Sequence, residues 1–390
     1  MTQDFKALVK AEVDNQRLKL KELSLKIHSH PEIGFQEHQA LNWLTQYLEA
    51  NDFTVEQGIC QLATAFKASY GSGHPAIAFL AEYDALPQLG HACGHNLIAT
   101  IAVGAAVAAK SAVDQLGGNI LVIGTPAEEL FGGKILMSHR GAFRDIDMAM
   151  MVHPSTHNTA TIKSLACISL EVEFFGHEAH AAAHPEEGIN ALEAMIQSFT
   201  AINSLRQHIK DRARIHGIIT DGGQVVNVVP AHSAASFLLR SPDEAYLEQL
   251  KERVLNCFKG AALATSASLE YRWGELQYAP MLNNLTMAQL FTKNVSSLGR
   301  KAQLENINQS FGSTDMGNVS QLVPSIHPSV AIAPKGISIH SPQFAEAAAS
   351  EAGIQGMLDA AKALAMTAID LLTSPKTVNQ VKKEFAENLS

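Results

Sequence analysis

The sequence predicts an α/β protein whose first domain contains a mixed sheet and receives an inserted α+β domain. Strands alternate with helices through the first 150 residues, and the pattern then changes to β-α-β-β-α-β before the first kind of element returns. The length of 390 residues also exceeds what one hydrophobic core usually supports. These observations together favour two domains, one interrupting the other.

The first domain is predicted from apolar strands that alternate with helices. The run AIAFLA (76–81) has no polar face, which is typical of a central strand buried on both sides. The other elements assigned to this domain are an amphipathic helix at 41–48, a strand at 64–68, an alanine-rich helix at 97–110, a strand at 119–124, a short helix at 134–139, a strand at 147–152, a strand at 329–333 and a final long helix at 346–373.

The middle of the chain is predicted to form the insert. Its elements are an extended segment at 162–175, a helix at 188–210, strands at 214–220 and 233–240, a helix at 244–260 and a strand at 269–273. This order is the split βαβ, or ferredoxin-like, arrangement. We therefore assign residues 164–276 to the insert and residues 1–163 and 277–390 to the domain around it.

Composition and charge exclude several kinds of partner. The chain is 46% hydrophobic and 17% charged, which is ordinary for a globular protein with a sizeable core. A net charge of −9 without a basic patch argues against nucleic acid. Residues 1–23 are charged and carry no apolar signal segment, and the apolar run 97–109 is too short and too rich in alanine to span a bilayer. Four scattered cysteines give no disulfide framework, so we expect a cytoplasmic protein.

Side chains that commonly bind metals occur in four short segments, which follow predicted strands or lie in loops. The segments are HACGH (91–95), TPAEE (125–129), MVHP (151–154) and ISIHSP (337–342). Loops after the strands of an open α/β sheet converge on one crevice, so the segments are expected to meet. A thiolate with imidazoles suits zinc, and two adjacent carboxylates can divide into a ligand and a base. Each segment alone also fits a buried cysteine, solvated glutamates or a packed histidine, and only their conjunction favours a metal site.

The same segments belong to a series of motifs that resembles the zinc-dependent aminoacylase and glutamate-carboxypeptidase superfamily, and more narrowly its amidohydrolase branch. That branch includes indole-acetyl-amino-acid hydrolases, aminobenzoyl-glutamate hydrolases and β-alanyl-lysine dipeptidases. The matching motifs are EYDALP (82–87), GHACGHN (90–96), TPAEE with GGK (125–134), MVHP (151–154), GHEAHAA (176–182), NVVP (227–230), FGSTDMGNVS (311–320) and KALAMTAIDLL (362–372). They cover nearly the whole chain in order. Asn96, the GSTD motif and the alanine-rich C-terminus are most similar to the β-alanyl-lysine dipeptidase and aminobenzoyl-glutamate hydrolase subgroup.

The resemblance implies a role for each matched residue. Two divalent metal ions, zinc first and manganese or cobalt as alternatives, would be shared by Cys93, His95, Glu129, His153 and His340. Glu128 matches the general base, and Asp84 matches the aspartate behind the metals. His180 matches a histidine that completes the active site of a partner subunit. Asn227 and Arg240 match the groups that bind the amide oxygen and the carboxylate of the substrate.

Three residues depart from the family pattern. Glu82 stands where many relatives have a ligand histidine, and Cys93 is the residue that compensates for it in the amidohydrolase branch. Asn96 replaces an aspartate, which removes a charge next to the ligands and is expected to retune metal affinity. His177 stands where a lysine is usual. The roles of Glu82 and His177 stay open.

The implied activity is hydrolysis of the amide bond of small N-acyl- or aminoacyl-amino acids, such as dipeptides with a basic carboxyl-terminal residue or aminobenzoyl-glutamate conjugates. Glu128 would take a proton from water, and the insert would act as a lid and dimerisation domain in a homodimer without a membrane partner. Two other functions are less consistent with the motifs. A cysteine hydrolase based on Cys93 would leave Glu128, Glu129, His153 and His340 unexplained. A silent metal-binding homologue would have no use for a free base.

Overall fold

The computed structural model describes residues 4–305 and 312–389, apart from the side chains of Leu130 and Phe131. Its backbone forms two compact units. The second unit contains Ser164–Pro280 together with residues 312 and 313, and the first contains the remaining described residues. The lid and dimerisation role expected of the insert concerns its function and stays a prediction.

The helices and strands follow in chain order. The helices are α1 (Phe5–Asn15), α2 (Arg17–His28), α3 (His38–Glu49), α4 (His95–Leu116), α5 (Glu128–Phe131), α6 (Gly133–His139), α7 (Ala191–Leu205), α8 (Glu244–Thr265), α9 (Leu285–Ser297), α10 (Met316–Ser320), α11 (Pro342–Ala349), α12 (Glu351–Leu372) and α13 (Pro375–Leu389). The strands are β1 (Thr54–Gln57), β2 (Phe66–Ser72), β3 (Ala76–Ala81), β4 (Gly118–Gly124), β5 (Met148–Met150), β6 (His153–Ser155), β7 (Ala166–Phe175), β8 (Arg214–Asp221), β9 (His232–Ser241), β10 (Ser268–Trp273), β11 (Ser325–Ile326) and β12 (Ser329–Ala331).

The first unit is built on a six-stranded mixed sheet in the order β1-β2-β4-β3-β5-β11. The strands β1, β2 and β4 pair antiparallel, whereas β4, β3, β5 and β11 pair parallel. The predicted central strand, β3, lies in the interior of this sheet and is fully buried. Because four neighbouring strands run in the same direction, the segments that follow them meet at one edge of the sheet.

Hydrophobic side chains cover both faces of β3. Ile77 and Phe79 belong to a cluster that includes α4 and α12, whereas Ala78 and Leu80 point to a second cluster that includes α6. Successive residues of a strand face opposite sides of the sheet, so a strand covered on both sides has no polar alternation. This burial is the physical reason for the continuous run AIAFLA.

The helix α4 is longer than its predicted span of 97–110. Its 22 residues include an 18-residue window with a mean hydropathy of 1.6, which by length and composition alone could cross a membrane. However, 89% of that window is buried inside the protein. A helix that is apolar all round is typical of a core position as well as of a membrane span. Here its apolar residues pack in the core of the first unit.

The second unit contains a four-stranded antiparallel sheet in the order β10-β7-β9-β8. The helices α7 and α8 pack on this sheet around a hydrophobic cluster of their own. The chain order β7-α7-β8-β9-α8-β10 confirms the predicted split βαβ arrangement. Where the chain enters and leaves the unit, Cys167 and Tyr278 exchange backbone hydrogen bonds of 3.0 and 2.9 Å. Closely spaced ends of this kind are typical of an inserted domain.

The end of the chain differs from the prediction of one helix at 346–373. The structure has two helices there, α11 and α12, because Ser350 adopts an extended backbone with φ −78° and ψ 163°. Its hydroxyl oxygen accepts the backbone N–H of Gly353 at 3.0 Å, which caps the start of α12. The further helix α13 was not predicted.

Candidate active site

The four segments whose side chains commonly bind metals meet at the edge of the sheet where β3, β4 and β5 end. The Sγ atom of Cys93 lies 3.3 Å from Nε2 of His153. The Oε1 atom of Glu129 lies 3.2 Å from Nε2 of His340 and 3.8 Å from Nε2 of His95. Candidate ligand atoms of Cys93, His95 and His153 lie within 4.8 Å of one another, as do those of Cys93, Glu129 and His340. The structure thus brings the five predicted ligands together; we call this set the ligand cluster.

The ring nitrogens of two histidines in the ligand cluster have defined partners. Nδ1 of His95 lies 2.9 Å from Oδ1 of Asp84, and Nδ1 of His153 lies 2.6 Å from the carbonyl oxygen of Pro154. Carboxylate and carbonyl oxygens only accept hydrogen bonds, so each Nδ1 donates its proton and, in the neutral ring that binds a metal, each Nε2 carries a lone pair. Among the described residues, Nε2 of His95 is buried without a hydrogen-bond partner. A metal ion would satisfy this nitrogen, so these residues fit a metal site.

Asp84 orients two members of the ligand cluster. Besides its contact with His95, it accepts the backbone N–H of Glu129 at Oδ2, with a distance of 3.0 Å. Burial tends to raise the pKa of Asp84, but the charge and the hydrogen bond of His95 outweigh it and lower the pKa below its ordinary value. The aspartate therefore stays ionised and fixes a side chain on α4 relative to the loop after β4.

Three residues with left-handed backbone place the ligand-bearing loops. Gly94, between Cys93 and His95, has φ +82°, and a Cβ atom there would lie 2.9 Å from Cγ of Pro154. Ala127, just before the two glutamates, has φ +61°, and His340 has φ +64°. The N–H of His340 donates to the carbonyl of Ala92 at 3.0 Å. Strained backbone of this kind is common where a fold positions functional groups.

Glu37 supports the loop after β4 and was not identified from the sequence. Its Oε1 accepts the backbone N–H of Ala127 at 2.9 Å, across 90 positions of sequence. The side chain is buried, and this burial raises the pKa of Glu37 to about 7. No motif in the chain marks a residue that contacts the site only through a backbone group.

Glu128 belongs to a second group of acids, formed with Glu82 and Asp315. Oxygen atoms of these three carboxylates lie within 4.8 Å of one another. Loss of solvent, followed by the charges of Glu82 and Asp315, raises the pKa of Glu128 well above its usual range, while Lys134 opposes the shift. Glu82, whose role the sequence left open, forms an ion pair with Lys134. Lys134 and Asp315 were missed as site residues, although the GGK and GSTD motifs contain them.

The surroundings of Cys93 favour a ligand rather than a nucleophile. Burial raises the pKa of its thiol well above the usual range, although His95 opposes the shift. A catalytic cysteine needs a lowered pKa so that its thiolate is present near neutral pH. A bound divalent ion would supply the charge that stabilises this thiolate.

Three predicted residues belong to the second unit, and their roles at the site stay predictions. Nδ1 of His180 accepts the backbone N–H groups of Ala182 and Ala183 at 3.3 and 3.1 Å, so its proton lies on Nε2, which can donate. Arg240 donates from Nη1 to Oγ of Ser313 at 2.6 Å. The side chain of Asn227 is exposed.

Asn96 and His177, the other two residues that depart from the family pattern, have different surroundings. Nδ2 of Asn96 donates to Oγ of Ser24 at 3.0 Å and to the carbonyl of Ala348 at 3.1 Å. Asn96 therefore ties α4 to α2 and α11, and an effect on metal affinity stays a prediction. His177 is exposed and pairs with Ile189 through backbone hydrogen bonds, so its chemical role stays open.

Comparison with known proteins places this arrangement in a family. Residues 78–363 match the family model of Peptidase family M20/M25/M40. The chain belongs to this family. It is 39% identical to Xaa-Arg dipeptidase of Mus musculus, over 96% of this chain and 90% of that protein. It is 30% identical to a p-aminobenzoyl-glutamate hydrolase subunit of Escherichia coli strain K12, over 96% of this chain and 93% of that one.

A solved structure shows the same fold. A dinuclear metal-binding peptidase of the M20 family from Bacillus subtilis superposes with a TM-score of 0.73, at 20% identity over 92% of this chain and 99% of that chain. Membership of the M20/M25/M40 family confirms the resemblance stated from the motifs. Together with these relatives, it also confirms the class of activity, that of a metal-dependent hydrolase of peptide or amide bonds.

Proposed function

We propose that the protein is a dipeptidase that hydrolyses dipeptides with a basic carboxyl-terminal residue, using two metal ions and Glu128 as the base. One observation carries the proposal: of two adjacent glutamates, only Glu129 pairs with histidines of the ligand cluster. Glu129 lies 3.8 Å from His95 and 3.2 Å from His340. Glu128 also lies within 4.8 Å of His95 and Glu129, but it is the one that joins the carboxylates of Glu82 and Asp315. A ligand and a free base at neighbouring positions are what hydrolysis by an activated water requires.

The ligand cluster would hold the two divalent ions. A buried thiol, three imidazoles and a carboxylate form a donor set that favours zinc, and manganese or cobalt are the alternatives. When bound, the ions would polarise the substrate carbonyl and make a water molecule more acidic. Asp84 would keep His95 in the tautomer that presents Nε2 to a metal.

The chain's own groups would then move the proton and stabilise the charge. Glu128 would accept a proton from the attacking water and return it to the leaving amine. His180 would donate from Nε2 to the substrate carbonyl oxygen as negative charge develops there. Asn227 and Arg240 would bind the amide oxygen and the terminal carboxylate of the substrate. An arginine is well suited to a carboxylate because its planar fork can donate two parallel hydrogen bonds.

The choice of substrate rests on similarity and charge. The chain is 39% identical to an Xaa-Arg dipeptidase over nearly its whole length, against 30% for an aminobenzoyl-glutamate hydrolase subunit. A net charge of −9 also attracts cationic substrates and repels anionic ones. Both observations favour a dipeptide that ends in arginine or lysine over an aryl-glutamate conjugate.

The substrate is tested with a panel assayed in the presence of zinc, manganese or cobalt. The panel contains Xaa-Arg and Xaa-Lys dipeptides, matched dipeptides with neutral carboxyl-terminal residues, N-acetyl amino acids and aminobenzoyl-glutamate. We expect the highest kcat/KM for the basic dipeptides. A higher kcat/KM for aminobenzoyl-glutamate would overturn the substrate assignment, and hydrolysis of no compound with any metal would favour a silent homologue.

The division between the two glutamates predicts different effects of matched substitutions. Glu128→Gln should retain metal and fold but lower kcat by ~10²–10⁴, because it removes the proton acceptor. Glu129→Gln should instead lower metal content, measured by elemental analysis after dialysis. Glu56→Gln, on the exposed side of β1, serves as a control that should change neither quantity. A Glu128→Gln protein with near wild-type kcat would show that the roles are wrong.

Two further parts of the proposal concern assembly and location. A homodimer is proposed because His180 is matched to a residue that acts in a partner subunit. A cytoplasmic location is proposed because all four cysteines are free, which suits a reducing compartment. Neither part is needed for the proposed chemistry of Glu128.

A further inference from the structure

Lys134 is buried inside the second group of acids next to the ligand cluster. We call Glu82, Glu128 and Asp315 the carboxylate cluster. Nζ of Lys134 lies 2.5 Å from Oε1 of Glu82 and 2.7 Å from Oδ1 of Asp315. The side chains of Lys134 and Asp315 are fully buried, and that of Glu82 is 1% exposed. A single ammonium thus stands against three carboxylates from three separate segments of the chain.

The position of this ammonium is fixed by the backbone as well as by charge. The backbone N–H of Lys134 donates to Oδ2 of Asp315 at 2.9 Å, so one carboxylate binds both ends of the residue. Lys134 is the second residue of α6, which starts at Gly133 directly after a left-handed Gly132. A Cβ atom on Gly133 would lie 1.8 Å from the carbonyl oxygen of Pro126, so only glycine fits there. The ammonium therefore has little freedom to leave the carboxylate cluster.

Without the ammonium, the carboxylate cluster has the geometry and charge of a cation site. Its three carboxylates converge within 4.8 Å, and carboxylate oxygens are the ligands that magnesium, calcium and manganese prefer. Unlike charges attract strongly where water is excluded, so without the ammonium the carboxylates would gain protons or another cation. Glu129, in contrast, makes its ion pairs with His95 and His340, which are themselves candidate ligands.

We propose that Lys134 is a built-in cation that closes the carboxylate cluster to divalent ions and so keeps Glu128 free to act as a base instead of a ligand. Lys134 is a positioning residue, because it acts through Glu82, Asp315 and Glu128 and needs no contact with substrate. The inference rests on the proposed function only in taking the ligand cluster as the resident metal site. It adds that a lysine side chain restricts the places in the protein where a divalent ion can bind.

The test is the metal content of Lys134→Met, a substitution that keeps most of the side-chain volume and removes the charge. Wild type and variant are equilibrated with manganese, passed over a desalting column and analysed for metal and protein. We expect one additional divalent ion per chain in the variant, with an additional manganese signal in electron paramagnetic resonance. A purely structural role of Lys134 would lower stability but leave the metal count unchanged.

Two matched variants separate charge from other effects. Lys362→Met removes a lysine whose ammonium pairs with Asp14 at 2.6 Å and whose side chain is 12% exposed, and it should leave the metal count unchanged. The double variant Lys134→Met with Asp315→Asn removes a carboxylate together with the ammonium. It should take up no additional ion, because the remaining pair of carboxylates offers fewer charged ligands.

The outcomes distinguish this inference from the proposed function. A folded Lys134→Met protein with the wild-type metal count overturns the inference alone. A wild-type protein that binds no divalent ion contradicts the proposed function and the inference with it. If Lys134→Met folds only when manganese is added, the result supports the inference. If it stays unfolded whichever divalent ion is added, while the double variant folds normally, the inference is wrong.

Discussion

At the scale of single residues, Asp84 connects two loops of the site through two different oxygens. Oδ1 receives Nδ1 of His95 at 2.9 Å, and Oδ2 receives the N–H of Glu129 at 3.0 Å. Both partners donate, so the position requires a group that accepts on both sides. A carboxylate does this, and an amide does not, because one of its two ends is itself a donor.

Asp84→Asn is therefore expected to weaken metal binding by about 10–100-fold, because it disturbs the orientation of one ligand or the other. The change is measured by competition with a chelator. Asp147→Asn is a matched control, since Asp147 also receives a histidine Nδ1, from His74 at 2.6 Å, and a backbone N–H, from Ala76 at 2.7 Å. Equal effects of both substitutions on metal affinity would contradict the role given to Asp84.

The residues of the site that sequence could predict are those whose chemistry is itself the signal. Cys93 and His95 stand out because a thiol and an imidazole on one glycine-flanked turn are an unusual pair. Glu37 gave no such signal, and the GGK motif contains Lys134 without indicating its role. Their contributions depend on a hydrogen bond to Ala127 and an ion pair with Asp315, which join positions 90 and 181 residues apart in sequence. Partners of this kind become visible only after the chain has folded.

At the scale of elements, the start of α4 determines where two members of the ligand cluster lie. Gly94 precedes the first residue of this helix with φ +82° and ψ 24°, which is left-handed backbone. A side chain there would also approach Pro154, the residue after His153, to 2.9 Å at Cγ. The turn therefore needs glycine for two separate reasons, backbone strain and close packing.

These reasons are separated by comparing Gly94→Ala with Gly58→Ala. Gly58 has nearly the same backbone, φ 72° and ψ 23°, but nothing lies within 4 Å of the place that a Cβ atom would take. Gly58→Ala should cost about 1–2 kcal/mol of unfolding free energy from left-handed strain alone. Gly94→Ala should cost about 1–3 kcal/mol more from overpacking and should also lower metal affinity. Equal losses of stability with unchanged metal binding would show that the contact with Pro154 is unimportant.

Helices and strands were predicted correctly where burial produces a pattern of apolar residues in the sequence. The prediction failed where a single capping residue sets the boundary of a helix. The strand β3 has a continuous apolar run because it is covered on both faces. The break between α11 and α12 depends on one hydroxyl, that of Ser350, in a segment that is otherwise rich in alanine. Periodicity over such a segment suggests one helix, and only the local hydrogen bond of the cap ends the first and starts the second.

Three strands of the second unit are joined by one histidine, which predicts a pH dependence. His232 on β9 lies 2.6 Å from a carboxylate oxygen of Asp221 on β8 and 2.9 Å from one of Glu173 on β7. The hydrogen bond to Asp221, then that to Glu173, raises the pKa of His232. Because the pKa of His232 is raised in the folded state, its protonated form stabilises the fold fully at pH values below the unfolded pKa of about 6.5. This stabilisation is lost as the pH rises through the folded pKa.

His232→Asn should therefore lower the thermal unfolding temperature more at pH 6 than at pH 9, by on the order of 1–2 °C because the pair is partly exposed. His216→Asn on β8 is a control of opposite sign. Burial, followed by the charge of Arg240, lowers the pKa of His216, so its protonation destabilises the fold at low pH. Variants with the same pH trend would contradict the assignment of His232.

At the scale of the whole molecule, each unit has its own hydrophobic cluster and sheet, which explains why the sequence changes pattern where the insert begins. The apolar residues of β7, α7, β9 and α8 pack with one another. The order of elements in the insert was predictable for this reason, because a separate core imposes its own periodicity. The association of two chains was not, since pairing depends on surface shape, and the homodimer stays a proposal from the family resemblance.

The proposed homodimer leads to the last prediction, which concerns His180. Its Nδ1 is occupied by the N–H groups of Ala182 and Ala183, so Nε2 is a donor held in a fixed direction by its own loop. Such a donor suits the stabilisation of a developing oxyanion. If it acts in the partner subunit, His180→Ala and Glu128→Gln should each abolish activity when pure. A mixed dimer would contain one site with both groups intact.

We therefore expect activity to reappear when the two inactive proteins are mixed under conditions that allow subunit exchange, up to about a quarter of the wild-type value for random pairing of equal amounts. This estimate follows because half of the dimers are mixed and each has one complete site out of two. His184→Ala, in the same exposed loop, is the control and should stay active alone. Exchange without recovery would place the action of His180 within its own chain, and a fully active monomer at micromolar concentration would contradict the shared site.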